Sequence, residues 1–266
     1  MDFVRILGAR GSVPVAGADF QKYGQATTCV LLSLGGQRLV VDGGTGLLRV
    51  GQFLPEGERD LTILLTHCHL DHLLGLPMCP LVFRRETRLR VYGATRNGLT
   101  AADQVKALMA PPLWPVGPEQ LPCIVDFREL TPRLRLGPLT VDSLEAPHPG
   151  GVSLLRITDG SKTVVICTDF TLTEANRPRL LDFAKDCDLL LCDGQYSPEE
   201  WGRCAHFGHN NWQQAAAFAR DCGAKQARII HHDPTHTDQR LDMAAGQLQA
   251  ICGRCSFALA EEEILL

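Results

Sequence analysis

The chain has 266 residues, 45% of them hydrophobic and 21% charged, with a formal net charge of −4. That length and apolar content are enough for a large core, and a single domain over residues 1–266 is expected. The mild acidity argues against a general nucleic-acid binder, and no apolar run approaches the roughly 18 residues of a membrane-crossing helix. Phe3–Gly8 reads as a strand. Cys29–Leu34 and Arg38–Asp42 alternate around Gly35-Gly36, a hairpin signal. Asp42–Gly46 then leads into a short helix. Leu61–Leu65 is an apolar run that predicts a buried strand, Arg88–Tyr92 predicts another, and Thr95–Met109 has helical spacing. Ala110–Pro118 is too proline-rich for regular structure.

The second half continues in the same style. Strands are predicted at Cys123–Phe127, Leu139–Glu145, Gly151–Thr158 and Lys162–Thr168, then a helix at Thr173–Ala184 and a strand at Asp188–Cys192. Asn211–Cys222 has helical periodicity, with Asn210 or Asn211 as its cap. A strand at Ala227–His231 and a helix at Asp238–Ile251 follow. Two strand-rich halves, each ending in βα units, fit two packed sheets with helices outside; the pattern alone also fits an ordinary α/β sheet. The eleven cysteines include Cys29, Cys167 and Cys192 in apolar runs, which read as small buried hydrophobes. Cys252 and Cys255 form a lone CxxC, a weak signal for metal or redox chemistry. The charged opening Met1–Gly8 does not resemble an export signal, so a cytoplasmic location is expected.

The chemistry concentrates in Thr66-His67-Cys68-His69-Leu70-Asp71-His72, directly after the Leu61–Leu65 run. On an extended backbone, positions two apart share a side, so His67 and His69 can grip one ion. Asp71 and His72 lie beyond the strand end and can serve a second ion nearby. One hydrophobic strand that delivers ligands to two ions suggests a two-metal hydrolase. Asp169 ends the buried run Val164–Thr168, where a carboxylate is costly unless a cation compensates it.

His-x-His-x-Asp-His after a buried strand resembles the signature of the metallo-β-lactamase superfamily. That resemblance implies an α/β fold, a four-layer αββα sandwich with metals in a cleft at one edge of the sheets. It implies a third metal-binding His, matched by His148 between Pro147 and Pro149, and a bridging Asp, matched by Asp169. It also implies a final His after a late strand. His231 takes that place, with His232 as the alternative, since neighbouring side chains point opposite ways. Asp42 in Val40-Val41-Asp42-Gly43-Gly44 resembles the family's Asp-x-Gly element and is placed to orient a ligand imidazole. Asp233 and His236 could orient a ligand in the same way, or serve as capping and surface groups.

Two further elements resemble the ribonuclease Z-like, phosphodiesterase branch. Gly8-Ala9-Arg10-Gly11-Ser12-Val13-Pro14 looks like its opening loop, where Arg10 and Ser12 could contact an anion. Phe207-Gly208-His209-Asn210-Asn211 resembles its Gly-His-Ser-Thr element, with Asn in place of Ser and Thr, and makes His209 the candidate general acid. The expected cofactors are two divalent metal ions, zinc first, with manganese or iron admitted by the same ligands. The expected reaction is hydrolysis of a small or cyclic phosphodiester by a metal-bridging hydroxide, with Asp71 orienting the nucleophile. The rivals are an ester, lactone or thioester hydrolase on the same metals and a non-catalytic sensor. A tRNA substrate is disfavoured because no long basic arm is visible and Ala110–Gly117 is short and apolar. No membrane partner is expected, and a homodimer is admitted by analogy with related families.

Overall fold

The structure is a computed structural model that describes residues 1–266. The first sheet begins with β1 (Phe3–Gly8), β2 (Cys29–Leu34) and β3 (Gln37–Val41), and continues with β4 (Asp60–Leu64), β5 (Arg88–Gly93) and β6 (Ile124–Glu129). The second runs through β7 (Arg133–Leu136), β8 (Leu139–Ala146), β9 (Val152–Thr158), β10 (Thr163–Cys167), β11 (Leu189–Asp193), β12 (Gln226–Ile230) and β13 (Cys255–Phe257). The last strand, β14 (Glu263–Leu265), returns to pair with β1, so each sheet has seven strands. Five α-helices accompany them: α1 (Ala101–Leu108), α2 (Arg177–Ala184), α3 (Trp201–Cys204), α4 (Trp212–Asp221) and α5 (Asp238–Ile251).

Three apolar layers explain the stacking. Between the sheets lie Val41, Leu64, Leu155, Ile166 and Leu191, all buried. Outside the first sheet, Leu31, Ile63 and Val91 pack with Leu47, from a short 3-10 helix, and Val105 of α1. Outside the second, Val165, Leu190 and Ile229 pack against Trp212 and Phe218 of α4 and Leu248 of α5. Strands buried on both faces must be apolar at nearly every position, as Leu189–Cys192 is. The result is the expected αββα sandwich. Full burial of each such Leu or Ile is worth about 1.5–3 kcal/mol.

Strands β3 to β6 are parallel, as are β10 to β13. Their C-terminal ends therefore share one edge of each sheet, and ligands gather at such edges in open α/β sheets. The residues that leave these ends are bent sharply: Asp42, Asp169 and His231 have φ of 62°, 55° and 64°. Asp and His tolerate this left-handed region better than most side chains, at a cost of about 1–2 kcal/mol each.

Some expected boundaries move. The helix predicted over Thr95–Met109 starts only at Ala101, because Asn97 and Gly98 take positive φ and Thr100 forms a capping box with Asp103. The helix predicted from Thr173 starts at Arg177, with Pro178 in its first turn. The short strands β7, β13 and β14 and the one-turn helix α3 were not expected from the sequence. Cys252 and Cys255 are buried in the core layer under α5, as are Cys167 and Cys192. No helix is long and apolar enough to cross a membrane.

Candidate metal centre

Two groups of donors meet at the shared edge. His67, His69 and His148 form one; Asp71, His72, Asp169 and His231 form the other. In the first, the His67 and His69 rings lie 4.4 Å apart, as alternate positions on extended chain require. His69 turns Nδ1 inward, 3.0 Å from His148 Nε2. Asp169 stands between the groups, with Oδ1 3.9 Å from both His67 Nε2 and His148 Nε2 and 3.1 Å from His231 Nε2. Its Oδ2 lies 3.3 Å from His72 Nε2. Asp71 Oδ2 is 3.0 Å from His231 Nε2 and 3.4 Å from His72 Nε2.

The ring protons are held on the far sides of the imidazoles. His72 Nδ1–H donates to Asp42 Oδ2 at 2.8 Å. His67 Nδ1–H donates to the Thr66 hydroxyl at 3.1 Å, and that hydroxyl donates to Asp42. One buried acid thus orients a ring in each group. His148 Nδ1–H donates to the Gly208 carbonyl at 3.0 Å. Gly208 has φ of 94°, and a Cβ there would collide with Pro149 and the His148 ring. His231 Nδ1–H donates to Gln195 Oε1 at 3.1 Å. With Nδ1 of each of these rings bonded outward, Nε2 is the nitrogen turned toward the donor cluster and the atom a cation would take in place of a proton.

The electrostatics fit cations. Nε2 of His67 and of His72 is buried with no hydrogen-bond partner, and an orphaned buried ring nitrogen is costly unless something occupies it. Burial works against charge on Asp71 and Asp169, yet the facing His72 and His231 outweigh it and hold both carboxyls well below the usual range. Burial also disfavours charge on His231, but Asp169, Asp71 and Asp193 reverse that and lift it to about 10. His148 moves the other way, to about 4, chiefly by burial. Burial lifts Asp42, with His72 and Thr66 offsetting part of the effect. Imidazole and carboxylate donors gathered at this density suit divalent zinc, manganese or iron.

His231 therefore faces the acids, and its neighbour turns away. His232 sits between Tyr23 and Phe257 with Nε2 3.2 Å from the Ala258 carbonyl, and burial lowers it to about 3. Its neighbours in sequence are more distant from the chemistry. Asp233 caps its own turn through Thr235, and His236 bonds Glu200 Oε2 at 2.9 Å. The anion contact expected of Arg10 is not what the structure contains. Its guanidinium is fully buried and donates to the carbonyls of Gly24, Asp233 and His236. Burial lowers it to about 10, with Asp238 and Asp233 opposing.

His209 belongs to neither donor set above. Its ring stacks on His231 at 4.9 Å and meets His148 edge-on at 5.2 Å. Its Nδ1–H donates to Asp193 Oδ2 at 2.8 Å. Asp193, His209, Asp169 and His231 are close enough to form a third donor group, but the hydrogen bond to Asp193 already takes the near ring nitrogen. Asp193 was missed in the sequence, although Leu189–Cys192 ending in Asp193 repeats the pattern of Val164–Thr168 ending in Asp169. Thr66 and Gln195 carried no signal. Beside His67 and His69 opens a cleft of about 180 Å³, lined across from them by Arg96, Asn97, Leu99 and Gln104. Arg96 is tied to Glu145 at 2.7 Å and to Ser153 at 2.8 Å.

The fold and this edge define a metallo-hydrolase framework, and comparison with known proteins agrees. The pattern of the family described as "Beta-lactamase superfamily domain" matches residues 37–232, and the chain belongs to that family. It is similar to "Probable metallo-hydrolase YhfI" of Bacillus subtilis (strain 168), 28% identical over 89% of this chain and 90% of the relative. It is 34% identical to a ribonuclease Z of Bradyrhizobium sp. (strain ORS 278), over 80% of this chain and 85% of that one. Among solved structures, Bacillus subtilis YhfI superposes with a TM-score of 0.75 at 23% identity, covering 98% of each chain. The short form of human tRNase Z superposes with a TM-score of 0.71 at 17% identity, over 99% and 98%. The protein is thus a metallo-hydrolase of the metallo-β-lactamase fold, with His and Asp clusters suited to divalent metals.

Proposed function

We propose that the protein is a phosphodiesterase acting on a small or cyclic phosphodiester, working as one domain over residues 1–266. His67, His69 and His148 hold one divalent cation, Asp71, His72 and His231 hold a second, and Asp169 serves both. Zinc is the first choice for this donor set. Such cations supply Lewis acidity and lower the pKa of water. The observation that carries the reading is His209, outside both ligand sets yet packed on His148 and His231, with Nδ1 anchored on Asp193. That anchor leaves Nε2 to hand a proton to the leaving oxygen, a contribution of about 10²–10⁴ in rate. Asp193 fixes the ring. Asp71 receives the Ser12 N–H on Oδ2 at 2.7 Å and orients the attacking water as well as holding a cation.

Relatives named ribonuclease Z support attack at phosphorus over attack at a carboxylic ester. The cleft of about 180 Å³ lies below the range typical of drug-sized ligands and supports a small substrate over tRNA. The test pairs elemental analysis with turnover of bis-p-nitrophenyl phosphate and of a lactone on one sample. About two metals per chain with phosphodiester cleavage that chelation abolishes is the expected result. Two metals with lactone cleavage alone would overturn the phosphodiesterase reading, and two metals with neither activity would make the protein a sensor.

A further inference from the structure

The loop Gly8–Pro14 and the buried Gln195 have no place in either donor set, yet their contacts end on it. The Gln195 N–H donates to Asp193 Oδ1 at 3.2 Å. Its Oε1 accepts from His231 Nδ1 at 3.1 Å, and its Nε2 donates to Ser12 Oγ at 3.3 Å. Ser12 has φ of 64°, which turns its own N–H onto Asp71 Oδ2 at 2.7 Å. Gly11 lies flat against the His231 imidazole, where any Cβ would collide with the ring. The loop is itself locked around this histidine. Gly11 N–H donates to the His232 carbonyl at 3.0 Å, and His232 N–H donates to Ala9 at 2.8 Å. Arg10 fastens the chain beyond it through Asp233 and His236.

We propose that Gly11, Ser12 and Gln195 form a clamp that sets the tautomer and angle of His231 and the aim of Asp71. The clamp thereby tunes cation affinity at the Asp71–His72–Asp169–His231 group alone; this rests on the proposed reading that this group holds a cation. A neutral imidazole offers Nε2 to a metal only while its proton sits on Nδ1. The other acceptor near that proton is Asp193 Oδ2 at 3.7 Å, which is already committed to His209. Gln195 is therefore the group that keeps the proton in place. Ser12 keeps Gln195 correctly turned, because its hydroxyl takes the amide N–H and leaves the amide oxygen for His231. These are positioning residues. The opening loop, expected to touch an anionic substrate, acts on the metal ligands from behind.

The test uses the full chain with zinc. Gln195→Leu, Gln195→Glu and Ser12→Ala are titrated against a chromophoric chelator, with Asp71→Asn marking the phase that belongs to the clamped group. Melting temperatures are taken on the same proteins after chelator stripping. Gln195→Leu should weaken the marked phase by about 10–100-fold and leave the other unchanged. Gln195→Glu retains an acceptor and should restore most of the affinity. Ser12→Ala should give a smaller loss in the same phase and supports the test if Gln195→Leu folds poorly. Stripped variants should melt with the wild type. Equal zinc affinity in all variants, or equal weakening of both phases in step with lower stripped melting temperatures, would overturn the clamp. Wild-type protein binding fewer than two zinc ions would instead defeat the proposed function, before any variant is made.

Discussion

Asp42 is the acid on which both donor groups lean, so its replacement by Asn is the sharpest perturbation available. The side chain is fully buried and makes three kinds of contact: Thr66 N–H at 2.8 Å, the Thr66 hydroxyl at 2.9 Å, and His72 Nδ1–H at 2.8 Å. Asn fits the volume and tolerates the φ of 62° better than most residues. Its oxygen can keep the bond from Thr66 N–H. Its NH₂ group then faces the His72 N–H, donor against donor, so one charge-assisted hydrogen bond is lost. Such bonds contribute about 1.5–3 kcal/mol, which is roughly 10–150-fold in an equilibrium constant. The loss falls on His72 directly and on His67 through the Thr66 hydroxyl. Asp42→Asn should therefore weaken zinc binding about 10–100-fold at the His72 group and less at the His67 group. Chelator competition on the purified protein measures both. Unchanged affinity at the His72 group, with the variant folded, would refute the claim that Asp42 holds the ring protons.

Other outcomes follow from the same geometry. Asp193→Asn should lower kcat by about 10²-fold or more with metal content intact, and pairing it with His209→Asn should cost little further, because the two act as one unit. Chelation should lower the melting temperature, since free zinc at a hundred times Kd stabilises by about 2.7 kcal/mol per site; an unchanged melting curve would speak against binding. Away from the centre, Asp188 takes Lys225 Nζ and the Thr163 N–H at 2.8 Å each. Burial opposes its charge, but Lys225 and Thr163 outweigh it and lower its pKa. A lowered carboxyl favours folding above the unfolded value of about 4, and the benefit disappears as pH falls through the folded value. Urea unfolding of wild type and Asp188→Asn should thus differ at pH 7 and converge as the pH falls through the lowered carboxyl value. A gap that widens on acidification would contradict the sign.

Much of the centre was legible because its residues sit at the ends of buried strands. Runs such as Leu61–Leu65 and Val164–Thr168 leave little doubt that the polar residue closing them is there for a reason. What lay hidden was set by contacts across the chain. Gln195 and Thr66 matter through hydrogen bonds to rings, and nothing in their own flanking residues says so. His231 and His232 differ in which way one strand end bends, and at the left-handed turn the His231 ring faces the acids while His232 faces Tyr23 and Phe257. The strands missed were the shortest: β14 has three residues and pairs with β1 from the opposite end of the chain, a pairing with no local signal. An arginine in a glycine-rich loop carries the local signature of an anion site, whereas Arg10 is buried against carbonyls that come largely from far along the chain.

The donors come from both sheets, and neither the His67–His69–His148 group nor the Asp71–His72–Asp169–His231 group is complete within one half of the chain. His67 and His69 wait for His148; Asp71 and His72 wait for Asp169 and His231. A growing or refolding chain thus has no finished cage until its two halves have docked edge to edge. Cations held there would act as rivets between half-sandwiches that are otherwise joined by apolar contact. Metal capture would then report on assembly, because a chain with misdocked halves, however well each sheet has formed, completes neither of these two groups.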